Sequence, residues 1–132
     1  MSAQLFNDFL ASDDTLWVCR GDRLLFTSAK DSLLPLVDYI DKFASQEEGV
    51  IVFDRVVGNA AALLLVKAAC RKVYSSLGSE LAARTLSNHA IEYHFSETVP
   101  YIRDASRRGM CPMERLSLNK SPDEFYQVVK LR

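Results

Sequence analysis

The sequence predicts an α/β domain: a three-layer α-β-α sandwich on a five-stranded, mostly parallel mixed sheet with an N-terminal hairpin. Three observations carry this. From residue 31 onward, short apolar runs rich in β-branched residues alternate with helical periodicities. That alternation is the mark of βαβ units, with helices on both faces of a sheet. Before them, two strand-like runs are separated only around Gly21-Asp22, a good two-residue hairpin turn. The 132 residues, 48% hydrophobic and 25% charged, suffice for one core without disulfide or metal staples. Residues 1–132 are therefore read as a single domain, with a core over about 14–118 and a helical tail at 121–132.

The elements follow in order. Residues 2–11 place Leu5, Phe6, Phe9 and Leu10 on one helical face. TLWVC (15–19) and RLLFTS (23–28) are the hairpin strands. The embedded Arg20-Gly21-Asp22 also spells an adhesion tripeptide, but the chain opens without a secretion signal and the turn reading prevails. Apolar residues at 33, 36, 37, 40, 43 and 44 make 31–45 an amphipathic helix with Pro35 confined to its first turn. GVIVFD (49–54) reads as a buried parallel strand. Residues 56–70 form a helix apolar nearly all round, which must be buried on more than one side. RKVYSS (71–76) is a strand, 79–88 a helix, and IEYHF (91–95) alternates as an edge strand would. Residues 96–110 are the least regular stretch.

Charge and composition exclude several function classes. Sixteen basic against 17 acidic residues leave a net charge of −1, so no nucleic-acid partner is expected. The N-terminus, MSAQLFNDFLASDD, lacks the cationic start and apolar run of a signal peptide. The longest apolar stretch, from Ala60, is broken by Lys67 and too short to span a bilayer, so no membrane partner and a cytoplasmic location are expected. Cys19, Cys70 and Cys111 form no CxxC pair, which argues against a disulfide framework or structural zinc and for reduced thiols. No metal and no cofactor is implied.

The order of elements, together with DRVVGNAAALLLV (54–66), VPYI (99–102) and GMCPME (109–114), resembles a small prokaryotic family of the cytidine deaminase-like superfamily. The resemblance covers roughly residues 14–118 and implies that fold, without an established activity. Zinc deaminases carry a His-x-Glu or Cys-x-Glu at the helix after the hairpin, and a Pro-Cys-x-x-Cys at the helix after the next strand. The corresponding positions read Ser28-Ala29-Lys30-Asp31-Ser32 and Asp54-Arg55-Val56-Val57-Gly58-Asn59, with none of those ligands. Hydrolytic deamination by a zinc-bound hydroxide is not expected there.

Two stretches compete for a function. Cys111-Pro112-Met113-Glu114 reads first as a helix start, with Cys111 at the cap, Pro112 at the first helical position and Glu114 reaching back as in a capping box. The same grammar recurs at Ser121-Pro122-Asp123-Glu124. A cysteine at a helix N-terminus, with Arg103, Arg107 and Arg108 near in sequence, could also be a reactive thiol or sit beside an anion. Asp54, Gly58 and Asn59 lie where a strand enters a helix, at the sheet edge where open α/β folds bind ligands. Small residues there serve close packing equally well. His89 and His94 are five apart and, within a strand, would face opposite ways, so no shared metal is read.

Three functional readings result. In the first, the domain binds a small ligand, such as a nucleotide or related metabolite, at Asp54, Gly58, Asn59, Glu114 and Cys111. In the second it is an interaction module whose apolar helix 56–70 forms a homo-oligomer interface. In the third it is a zinc-free enzyme with Cys111 as catalytic nucleophile, although no companion base is identifiable.

Overall fold

The structure, a computed structural model, describes residues 2–43 and 47–131. The hairpin forms as its turn requires. β1 (Leu16–Arg20) and β2 (Arg23–Ser28) pair antiparallel, and Gly21 supplies the positive φ of +61° at the turn. β1 also pairs antiparallel with β3 (Val50–Val57), which is followed in parallel by β4 (Cys70–Ser79) and β5 (Glu92–Val99). The sheet order is β2-β1-β3-β4-β5, with β1 alone opposing the direction of the other four strands.

Alternation along the strands sorts side chains onto two faces. Leu16, Val18, Val50, Val52 and Val73 face the main core, while Cys19, Ile51 and Phe53 face the other side. There α1 (Ser2–Ala11) covers the sheet with Phe6 and Phe9. The main core is closed by α2 (Leu34–Phe43), α3 (Asn59–Lys67), α4 (Glu80–Asn88) and α6 (Pro122–Lys130), and the short α5 (Pro112–Ser117) packs on α3. Residues 59–65 of α3 are all buried, as its all-round apolarity requires, and its covers are the chain's own helices. Among the described residues no helix is long and apolar enough to cross a membrane.

Three expectations on element ends are corrected. The strands expected to end at 54, 76 and 95 run on to 57, 79 and 99. Their ends are set by parallel partners, Val57 against Gly78 and Ser79 against Val99, so cross-strand pairing extends each ladder beyond its apolar run. The helix expected over 56–70 shrinks to Asn59–Lys67, because Val56 and Val57 belong to the sheet and Ala69 turns left-handed at φ +58°. The helix expected over 31–45 begins at Leu34, with Pro35 in its first turn, and residues 44–45 lie outside the described residues.

One glycine is set by space. A Cβ at Gly78 would lie 2.1 Å from the Phe95 ring, which reclines across β4. Gly78→Ala is expected to cost about 1–3 kcal/mol, as overpacking does, read as a lower denaturant midpoint. An unchanged midpoint would mean the ring swings out freely.

Candidate functional site

The site is built where β3 leaves the sheet. Gly58 is the N-cap of α3, extended at φ −90° and ψ −177°, with no side chain to cap the helix. Its role is clearance: a Cβ there would sit 2.7 Å from Glu114 Oε1 and 2.8 Å from Ile102 Cγ1. The space left open is filled by the carboxylate of Glu114, only 2% exposed. One of its oxygens accepts a short hydrogen bond from the Asn59 N–H, the first residue of α3. The other accepts from the Ile102 N–H at 2.8 Å. A carboxylate at a helix N-terminus satisfies an orphan donor and complements the helix dipole.

This corrects the expected capping box. Cys111 is the N-cap of α5 and Pro112 occupies its first turn, as expected, but Glu114 does not bond back to Cys111. The Cys111 N–H is already engaged, donating to the Ile102 carbonyl at 2.8 Å. Glu114 thereby caps α3 rather than its own helix. The reciprocal box exists at the second occurrence of the pattern, between Ser121 and Glu124.

Asn59 is the second departure. It is buried, but its side chain is a tie between helices and not part of the cavity wall. Its Nδ2 donates to Ser117 Oγ at 2.9 Å, its Oδ1 accepts from the Thr85 hydroxyl, and Ser117 Oγ donates to the Glu114 carbonyl at 2.6 Å. α3, α4 and α5 are joined through this one amide.

Asp54, Gly58, Cys111 and Glu114 do come together, on the wall of a cavity of about 290 Å³. Asp31, Ser32 and Leu33, ahead of α2, close one side, and Ala60 and Ala61 contribute the first turn of α3. Burial pushes the Asp54 carboxyl up to about 7, against the opposing pull of backbone N–H groups of Arg55 and Val56 and the Arg55 charge. The Arg55 N–H donates to Asp54 Oδ1 at 2.8 Å. The Arg55 guanidinium is occupied elsewhere, bonded to the carbonyls of Asp14 at 2.9 Å, Ser12 at 2.7 Å and Phe9 at 3.2 Å, with the Phe9 ring 4.8 Å below it. It holds the end of α1 against the sheet.

Cys111 is half-buried, whereas Cys19 and Cys70 are buried in the two cores, and all three are free thiols. Burial raises the Cys70 thiol to about 12. Arg103, Arg107 and Arg108 are exposed on the turn that Arg103 and Met110 close, organised by Asp104. His89 caps α4, and His94 packs its ring against Phe6 and Tyr74 on the α1 face; neither lines the cavity. Among the described residues no group of three or more His, Cys, Asp or Glu side chains is placed as a metal site.

Sequence reasoning missed Asp31, Ser32, Thr15 and Ile102 as wall residues. Asp31 and Ser32 fall in the stretch aligned above with the first zinc motif. Ser32 adopts φ +63°, unusual for a residue with a Cβ. No local pattern marks Thr15, and Ile102 entered only as the last residue of VPYI, one of the stretches that carry the resemblance.

Among solved structures the chain is similar to a DUF1893 family protein, TM1506, from Thermotoga maritima. The TM-score is 0.88 at 27% identity, covering 98% of this chain and 88% of that one. No curated protein matches it. A family model described as TM1506, domain of unknown function (DUF1893), matches residues 6–131, and the chain therefore belongs to the DUF1893 family.

Proposed function

We propose that the chain is a small-ligand-binding domain, of cytidine deaminase-like fold but without that superfamily's zinc ligands. Its ligand would be a metabolite of about nucleoside size. The observation that carries this reading is the Asp54 carboxyl, held near neutrality on the wall of a cavity at the carboxyl end of β3. Perturbed carboxyls in clefts concentrate at functional sites, and the carboxyl ends of strands are where open α/β sheets bind ligands. About 290 Å³ lies at the small end of ligand pockets. Two further facts support the reading. The resemblance implies a five-stranded, mostly parallel mixed sheet that begins with a hairpin, and the chain has a sheet of that kind. The stretches standing in for the two zinc motifs contribute Asp31, Ser32, Asp54 and Gly58 to one wall.

In this reading Asp54 accepts a hydrogen bond from the ligand, Gly58 leaves room for the Glu114 carboxylate, and Glu114 fixes Ile102 and α3 around the cavity. Cys111 lends a thiol to the wall, and binding requires no covalent step from it.

A thermal-shift screen with nucleosides, nucleotides, sugar phosphates and zinc chloride tests it. A ligand at a hundred times its dissociation constant adds about 2.7 kcal/mol, several degrees for a domain of this size. The expected result is a shift that disappears in Asp54→Asn, each protein being compared with its own ligand-free midpoint. A silent screen, or a shift that survives Asp54→Asn, would remove the cavity from consideration. A shift with zinc alone would overturn the zinc-free part.

A further inference from the structure

The charge around this cavity is one-sided, and its sign is opposite to what the start of a helix normally offers. Free N–H groups at a helix N-terminus attract phosphate and other anions. Here the first N–H of α3, on Asn59, is already bonded to the Glu114 carboxylate, and so is the neighbouring Ile102 N–H. The chain supplies its own anion. Two more carboxyls, Asp31 and Asp54, share the wall. Among the described residues Arg55 is the one cationic side chain lining the cavity, and its guanidinium is committed to the carbonyls of Phe9, Ser12 and Asp14. An entering phosphate would meet three carboxyls and no free cation. Displacing Glu114 to make room would leave two N–H donors to be satisfied again.

We infer that the cavity selects cationic or neutral hydrogen-bond-donating groups, such as an amine, an amidine or the amino group of a heterocycle, and rejects phosphate and carboxylate. This narrows the ligand class and rests on the reading of the cavity as a binding site. A nucleotide would have to keep its phosphates outside the cavity.

A proton effect accompanies the selection. The titratable groups sharing the cavity with Asp54 are Asp31, Cys111 and Glu114, with the Arg55 charge beside it. A bound cation stabilises the ionised form of Asp54, which is partly protonated at neutral pH. The Asp54 proton then passes to the buffer as the ion pair forms.

Four aryl probes test the charge preference: the planar isosteres benzamidine, benzamide and benzoate, and phenyl phosphate, titrated into the ¹⁵N-labelled full chain at pH 7. The amides of Gly58, Ala60, Ala61 and Ile102 report occupancy of the cavity. Benzamidine is expected to bind about tenfold tighter than benzamide, the step one charge-assisted hydrogen bond supplies. Benzoate and phenyl phosphate are expected to leave these amides unmoved. Asp54→Asn should bring benzamidine to within about threefold of benzamide and abolish the proton release seen by calorimetry in two buffers.

If phenyl phosphate or benzoate moves these amides as strongly as benzamidine, the charge inference falls while the binding site stands. If none of the four binds, the metabolite screen decides. A hit whose phosphate or carboxylate lies against these amides overturns the inference, and a cationic or neutral hit upholds it. With no hit at all, the binding-site reading falls and the inference with it.

Discussion

Asp54→Asn is expected to make the protein more stable, by about 2–4 kcal/mol at pH 8 and by only about 0.5 kcal/mol at pH 4. The sign follows from the direction of the shift. In the unfolded chain this carboxyl ionises near its ordinary 3.8, whereas in the folded protein it holds its proton to about 7. Between those values the native state binds more protons than the unfolded state, so stability falls as pH rises. Below 3.8 both states are protonated and the carboxyl costs nothing, while above 7 the penalty is complete. Each unit of displacement is worth about 1.4 kcal/mol, and the partial exposure of Asp54 keeps the total below its full value. Asparagine retains an oxygen for the Arg55 N–H and has no charge to desolvate. Denaturant unfolding of both proteins from pH 4 to pH 8 measures the difference. A gap that stays constant with pH, or a less stable variant at pH 8, would show that Asp54 is not held protonated. A residue that destabilises its own fold is what the trade-off between stability and function leads one to expect at a binding site.

The opposite result is expected at Glu114. Glu114→Ala removes the acceptor of two N–H groups, on Asn59 and Ile102, and takes the negative charge from the start of α3. Buried donors left without partners cost about 1–3 kcal/mol each, and water entering the vacated space recovers part of that. A net loss of about 2–4 kcal/mol follows, roughly ten degrees in melting temperature. Glu114→Gln keeps one accepting oxygen but turns an amide donor toward the second N–H, and is expected to lose about half as much. Thermal unfolding of the three proteins in parallel gives the comparison. An alanine variant that melts with the parent would mean that water serves both N–H groups as well as the carboxylate does.

Much of this architecture was legible from residue types alone. The hairpin needed only Gly21-Asp22 between two apolar runs, and the burial of α3 followed from a helix with no polar side. Strand ends were not legible, because Val57 and Ser79 are kept in the sheet by neighbours that local apolarity does not encode. Asp54, Gly58, Cys111 and Glu114 were singled out one by one from the sequence and line one cavity, but the partner of Glu114 was not legible. Its spacing to Cys111 fits a capping box, and only the tertiary fold brings Asn59, 55 residues away, to the same oxygen. The position of Asn59 off the cavity wall was not legible for the same reason. A polar side chain at a helix start reads as a ligand contact until the hydroxyls of Thr85 and Ser117 are seen to occupy it.

The tie between Glu114 and Asn59 also sets an order of events during synthesis. The most deeply buried helix emerges from the ribosome long before the residues that finish it, Glu114 at its first turn and Phe125 on its flank. Until those residues appear, the nascent chain carries a helix with an open end and an uncovered apolar side, the kind of surface on which chaperones act. Completion of the domain is therefore a late step, made by contacts of long sequence separation rather than by the hairpin, whose strands end at Ser28.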